Sequence, residues 1–170
     1  MPELEEPERG TEPNSVTDVL DGPVYVVTAA AVGEVAGCLV GFASQCSIHP
    51  PRFMVWLSTL NHTYRVARRA SHLTVHVMRR DQQALAELFG GETGDRVDKF
   101  RSVAWQRSTD GSPVLTDACA WFVGRIERHV EGGDHMGFLL APTEQSPPVE
   151  GVPVLLRYRD VKDLEPGHPA

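Results

Sequence analysis

Along most of the chain the apolar residues come in short runs rich in Val and aromatics, each closed by Gly, Pro or Asp, the pattern of β-strands. These runs predict strands over Pro23–Ala31, Val35–Ala43, Arg52–Ser58, His72–Met78, Ala118–Val130, His135–Ala141 and Val152–Tyr158. In the fourth, Leu73, Val75 and Val77 alternate with Thr74, His76 and Met78, so one face is expected in a core and the other against something polar. Two stretches have helical spacing instead. Thr63, Val66, Ala67 and Ala70 share one helix face; Leu85, Leu88 and Phe89 share another, after a predicted N-cap at Asp81 and before a stop at Gly90-Gly91. Asp95–Phe100 reads as a short charged turn or helix, and Ser108–Pro113 as a loop around the turn signal Asp110-Gly111. Many strands, few helices and no regular alternation between them predict a mainly β fold, an antiparallel barrel closed or nearly closed.

Composition narrows the setting. A chain of 170 residues with 41% hydrophobic content suits one domain with its own core. The first fourteen residues hold five Glu and three Pro with almost nothing apolar, so 1–14 is expected to be a disordered acidic arm, 15–164 the folded domain and 165–170 a flexible tail. No apolar run approaches the roughly 20 residues that span a bilayer, and the N-terminus is acidic. A cytoplasmic protein with no membrane segment is the expectation. The three cysteines, an odd number without paired spacing, read as reduced buried thiols. A net charge of −7 argues against nucleic acid as a partner, and Arg65, Arg68 and Arg69 read as a solvated helix face.

Three segments carry candidate chemistry. Gly37–Pro51 joins a strand to an extended stretch; its small residues let a flat ligand approach the backbone, and Ser44, Gln45 and Ser47 supply polar side chains. Ser58–Tyr64 leaves a strand and opens a helix, where unpartnered N–H groups can seat a phosphate or Asn61 can act as an ordinary cap. Gly132-Gly133-Asp134-His135 is a tight turn that sets an imidazole at the barrel mouth or simply in solvent. No metal-binding spacing occurs: His72 and His76 would stand about 13 Å apart along one strand face. The chain also lacks a Gly-x-Gly-x-x-Gly, a Gly-x-Ser-x-Gly or a Walker loop.

In their order, Val24–Ala29, Gly37–Pro51, Arg52–Ser58, Ser58–Tyr64, the Asp95–Phe100 element and Gly133–His135 resemble the flavin-reductase-like family, the FMN-binding split barrels. The resemblance implies a Greek-key-like split β-barrel with a few short helices, a homodimer, and hydride transfer from NADH or NADPH to FMN, with FAD or deazaflavin F420 as alternatives. It also implies that reduced flavin can feed a partner monooxygenase; the alternative is a non-catalytic flavin or F420 binding protein. Carried over by position, Leu39, Val40, Gly41, Phe42, Ala43, Ser44, Gln45 and Ser47 would line the flavin ring. Asn61, His62 and Thr63 would take the phosphate, Phe100 or Tyr158 would pack on the ring, and His135 would sit by the nicotinamide or flavin as the catalytic side chain. Leu39, Gly41 and Phe42 stand where many members carry Ser or Thr.

Overall fold

The computed structural model describes residues 16–91 and 98–164; the expected acidic arm, the tail and the first half of the Asp95–Phe100 element lie outside them. Among the described residues nine strands form: β1 Tyr25–Ala31, β2 Glu34–Val40, β3 Ala43–Ser47, β4 Arg52–Ser58, β5 His72–Val77, β6 Trp105–Arg107, β7 Pro113–Leu115, β8 Ala120–Glu131 and β9 His135–Gln145. The helices are α1 His62–Ala67, α2 Gln83–Gly91 and α3 Tyr158–Val161. Seven strands make one antiparallel sheet in the order β2-β1-β5-β8-β9-β4-β3, with β6 and β7 a separate ribbon.

The two edge strands of that sheet, β2 and β3, are consecutive in the chain and separated only by Gly41 and Phe42. Two residues span less than about 10 Å, so the sheet must curl until its edges nearly meet. Inside the curl pack Val27 and Ala29 of β1, Cys38 and Val40 of β2, Val55 and Leu57 of β4, Leu73 and Val75 of β5, and Phe138 and Leu140 of β9. Helix α1 connects β4 to β5 and adds Val66 and Ala67 to this interior. Its start is fixed by Asn61, whose Oδ1 accepts the Thr63 N–H at 2.8 Å.

A second core lies on the outer face of β1 and β5, where Val26 and Met78 meet Ala86 and Phe89 of α2, Phe100, Leu115 and Leu156. Both faces of β5 are therefore buried. The polar partner expected for its second face is backbone: the His76 Nδ1 lies 2.8 Å from the Val26 carbonyl, and the Leu115 N–H donates to Nε2 at 2.9 Å. Thr28 of β1 likewise donates to the Pro113 carbonyl at 2.6 Å. These bonds attach the β6–β7 ribbon to the barrel wall.

The structure corrects several expectations. Val35–Ala43 is not one strand, because the chain turns at Gly41-Phe42 from one sheet edge to the other. Val152–Tyr158 makes only the isolated bridges Pro23↔Arg157 and Arg79↔Leu155, since the Pro-rich stretch before it cannot supply a ladder of donors, and Tyr158 begins α3. Strands β6 and β7, three residues each, are too short to leave a periodic signal. Asp81 does not cap α2; it pairs with Arg79 at 3.3 Å, and Gln82 precedes the helix. Cys38 is buried and Cys119 half-buried, but Cys46 is exposed.

Candidate functional site

The link between the sheet edges opens to solvent. Around the position where Gly41 would carry a Cβ there is open space, and Phe42 is 63% exposed. The Phe42 backbone is still held, since its carbonyl accepts the Trp56 N–H at 2.9 Å and so extends the β3–β4 ladder by one pair. Paired and outward-facing positions alternate along an antiparallel ladder. Ser44 therefore turns its backbone groups to β4, while Ala43 and Gln45 present theirs on the free edge. The side chains of Ser44, Gln45 and Cys46 are exposed, and Cys46 falls at the register shift between Gln45 and Ser47. The Gln45 amide donates to the Ser47 carbonyl at 3.2 Å. Leu39 leans into the outer core and Val40 into the barrel interior, so only Gly41–Ser47 of the expected ring-lining stretch offers open surface.

Phe42 meets His135, with ring centroids 5.0 Å apart and planes tilted by 56°. The Nδ1 of His135 lies 2.7 Å from the Asp134 carboxylate, and its Nε2 makes no hydrogen bond among the described residues. The turn that carries this histidine is fixed from three sides. Thr59 donates to the Asp134 carbonyl from its N–H at 3.0 Å and its hydroxyl at 3.2 Å. Gly133 has φ +102°, a conformation that favours glycine. The Trp56 ring lies against the hairpin backbone so closely that a Cβ on Gly137 would come within 2.8 Å of it.

The residues expected to hold a phosphate are divided. Asn61 and Thr63 serve the fold: Thr63 is 1% exposed, and both side chains hydrogen-bond inward to the Cys38 thiol. Burial pushes that thiol up, with the Lys99 charge and the two hydrogen bonds opposing. His62 faces outward, its Nε2 2.9 Å from Glu34 Oε1 and its Nδ1 3.3 Å from the Arg65 guanidinium. Arg69 reaches the same carboxylate at 3.1 Å. Glu34, His62, Arg65, Arg68 and Arg69 line an open depression of about 380 Å³. Arg65, Arg68 and Arg69 are all exposed on this face. The sequence showed their spacing, but Glu34 comes from the distant β1–β2 turn and only the fold brings it there.

Phe100 packs between Phe89 and Trp105 in the outer core, at 5.9 and 5.3 Å between centroids. With 7% of its surface exposed, its ring serves the core rather than a ligand. Tyr158 is half exposed at the start of α3, its N–H on the Gly22 carbonyl; neither ring belongs to the Phe42–His135 cluster. Among the described residues no three His, Cys, Asp or Glu side chains stand together as a metal site, and no helix is long and apolar enough to cross a membrane.

Residues 18–161 match the flavin reductase like domain. The chain belongs to the flavin-reductase-like family. Among its relatives, the FMN reductase (NADH) RutF of Variovorax paradoxus is 31% identical over 116 residues, 68% of this chain and 64% of the relative. The reductase component of 4-hydroxyphenylacetate 3-monooxygenase from Salmonella typhimurium is 30% identical over 125 residues, 72% of each chain. A protein named probable flavin reductase from Rhizobium meliloti is 26% identical over 129 residues, 74% of this chain but only 40% of the relative's length. Among solved structures, the NADH:FAD oxidoreductase of Streptomyces globisporus superposes with a TM-score of 0.69 at 25% identity, covering 75% of each chain. The FMN-binding protein of Thermus thermophilus superposes at 0.73 with 22% identity, over 81% of this chain and 78% of that one, a likeness of fold.

Proposed function

We propose that this member of the flavin-reductase-like family is an NAD(P)H-dependent flavin reductase, oxidising NAD(P)H to NAD(P)⁺ while a flavin takes up the hydride and one proton. The observation that carries the reading is the open Gly41–Ser47 edge beside the Phe42–His135 pair, in a chain whose relatives include reductases named for FMN and NADH.

The residues present suit a planar ring with a polar rim. Gly41 leaves room for close approach to the backbone. The free-edge groups of Ala43 and Gln45 and the side chains of Ser44, Gln45 and Ser47 offer donors and acceptors to that rim, and Phe42 offers an apolar face. Bound there, the flavin supplies a two-electron acceptor for hydride, so the protein's task is mainly positioning and electrostatics. His135 can hold or pass a proton at Nε2 while Asp134 fixes Nδ1.

FMN is the flavin we favour, with FAD and F420 as alternatives to be compared, and the reduced flavin would feed a partner monooxygenase. A second copy of the chain would cover the exposed β3 edge together with Phe42 and Ile48, which are 63% and 69% exposed. A flavin or F420 binding protein without turnover is a second reading, favoured by one observation, that the Phe42 ring already lies against the catalytic candidate His135.

The deciding experiment follows NAD(P)H absorbance with FMN, FAD, riboflavin or F420 added, alongside size-exclusion chromatography. The reductase reading predicts oxidation that requires added flavin and a dimer in solution. A flavin or F420 retained through desalting with no NAD(P)H consumption would support the second reading, and absence of both binding and turnover would remove both.

A further inference from the structure

We propose that Thr59 is a positioning residue for His135, acting through Asp134 to hold the imidazole with its proton on Nδ1 and an open lone pair on Nε2. The chain of contacts is short. Thr59 donates twice to the Asp134 carbonyl, from its N–H at 3.0 Å and from its hydroxyl at 3.2 Å. The Asp134 carboxylate lies 2.7 Å from His135 Nδ1. An ionised carboxylate only accepts, so Nδ1 is the nitrogen that carries the hydrogen in the neutral ring.

Asp134 does not keep that arrangement by packing. Its side chain is 78% exposed, whereas the imidazole it serves is 21% exposed. An exposed carboxylate ordinarily samples several rotamers while water competes for its oxygens. What is fixed is the backbone that bears the carboxylate, and the hairpin does not fix it unaided, because two glycines, Gly132 and Gly133, precede Asp134. The hold comes from the corner between β4 and α1. There the Asn61 N–H closes a turn on the Ser58 carbonyl at 3.0 Å, Ser58 pairs with His135 across β4 and β9, and Asn61 caps α1.

Burial does not require these bonds. Thr59 is half-buried and Asp134 is exposed, so water could serve the same N–H, hydroxyl and carbonyl. Two donors on one accessible carbonyl add little to stability but much to geometry, and misplacement by about 1 Å is costly to a reacting group. The tautomer follows from these contacts alone; its consequence for turnover rests on the reductase reading.

The test uses the full chain and Thr59→Val, which keeps the N–H and the β-branch but removes the hydroxyl, with Thr59→Ser to restore it. Asp134→Ala supplies the spectrum of a His135 ring without its acceptor, and His135→Ala identifies its signals among the seven histidines. Long-range proton–nitrogen NMR correlation of the imidazoles is recorded above the histidine titration range. It should show the Nδ1–H tautomer alone in the wild type and in Thr59→Ser, and a mixture shifted towards the Asp134→Ala spectrum in Thr59→Val. In NAD(P)H oxidation kcat should fall about fivefold in Thr59→Val, the size of one neutral hydrogen bond, with KM for the flavin held and kcat recovered in Thr59→Ser. A folded Thr59→Val with the wild-type spectrum, or a Thr59→Ser that does not restore it, would overturn the proposal, as would an unchanged kcat beside a shifted tautomer. The same spectral shift and rescue in a protein whose wild type oxidises no NAD(P)H would keep the role of Thr59 and remove the reductase reading.

Discussion

Lowering the pH from neutral should strip this protein of a large part of its stability through one side chain. His76 is fully buried, and both its ring nitrogens are committed in a single tautomer: Nδ1–H donates to the Val26 carbonyl at 2.8 Å, and Nε2 accepts the Leu115 N–H at 2.9 Å. A second proton would sit on Nε2 facing that N–H, donor against donor, in a fully buried site. Burial accordingly lowers the imidazole from 6.5 to about 4, partly offset by the Val26 bond. Because the folded value is depressed, the unfolded chain binds the proton first. Stability is thus full above about pH 6.5 and is lost as the pH falls towards 4. The fall from 6.5 to about 4 corresponds to about 3 kcal/mol, a sizeable share of the roughly 5–15 kcal/mol typical of a domain. Urea midpoints read from Trp56, Trp105 and Trp121 fluorescence, taken at several pH values between about 7.5 and 4.5, should fall steeply in the wild type. In His76→Gln, which can donate and accept but does not titrate, they should start lower at neutral pH and then fall far less. Parallel slopes in the two proteins would refute the reasoning.

Other expectations follow from the site. His135→Ala should lower kcat at least about tenfold with less effect on flavin affinity; a loss confined to KM would make the residue a binding contact only. Phe42→Ala should weaken flavin binding about tenfold if the ring packs on the ligand, and tighter binding would show instead that the ring obstructs it. Gly137→Ala would press a methyl into the Trp56 ring and should cost about 1–3 kcal/mol in chemical denaturation; a neutral result would mean that ring can shift freely. Cys46, exposed between two proposed ligand contacts, should be the first thiol to react with a disulfide reagent, and saturating FMN should slow it. Protection absent at saturation would place the flavin elsewhere.

The sequence revealed most of what depends on local pattern. β4 falls where its apolar run after the paired prolines puts it, and the Asn61 cap and the His135 turn are readable from residue type. What escaped it depends on the third dimension. The division of β2 from β3 arises because one runs along the opposite sheet edge from the other, which no local signal records. Val152–Tyr158 has strand-like residues but no open ladder to join. Within the site, Gly41, Phe42 and His135 converge, whereas Thr63 and Phe100 are drawn inward by the cores they complete. The pairing of Arg69 and His62 with Glu34 left no local signal, because Glu34 is supplied from about thirty residues away.

The two-residue step from β2 to β3 makes the circumference of the barrel a covalent quantity. Hydrogen bonds hold every other neighbouring pair of strands, but at this seam the tether is the main chain itself, and its length fixes how far the cylinder can gape. Evolution is therefore free to change the Phe42 side chain and with it the character of the opening. An inserted residue at the same spot would relax the whole wall. Diversification at this position should proceed by substitution rather than by insertion, in contrast to the tolerance ordinarily met in loops.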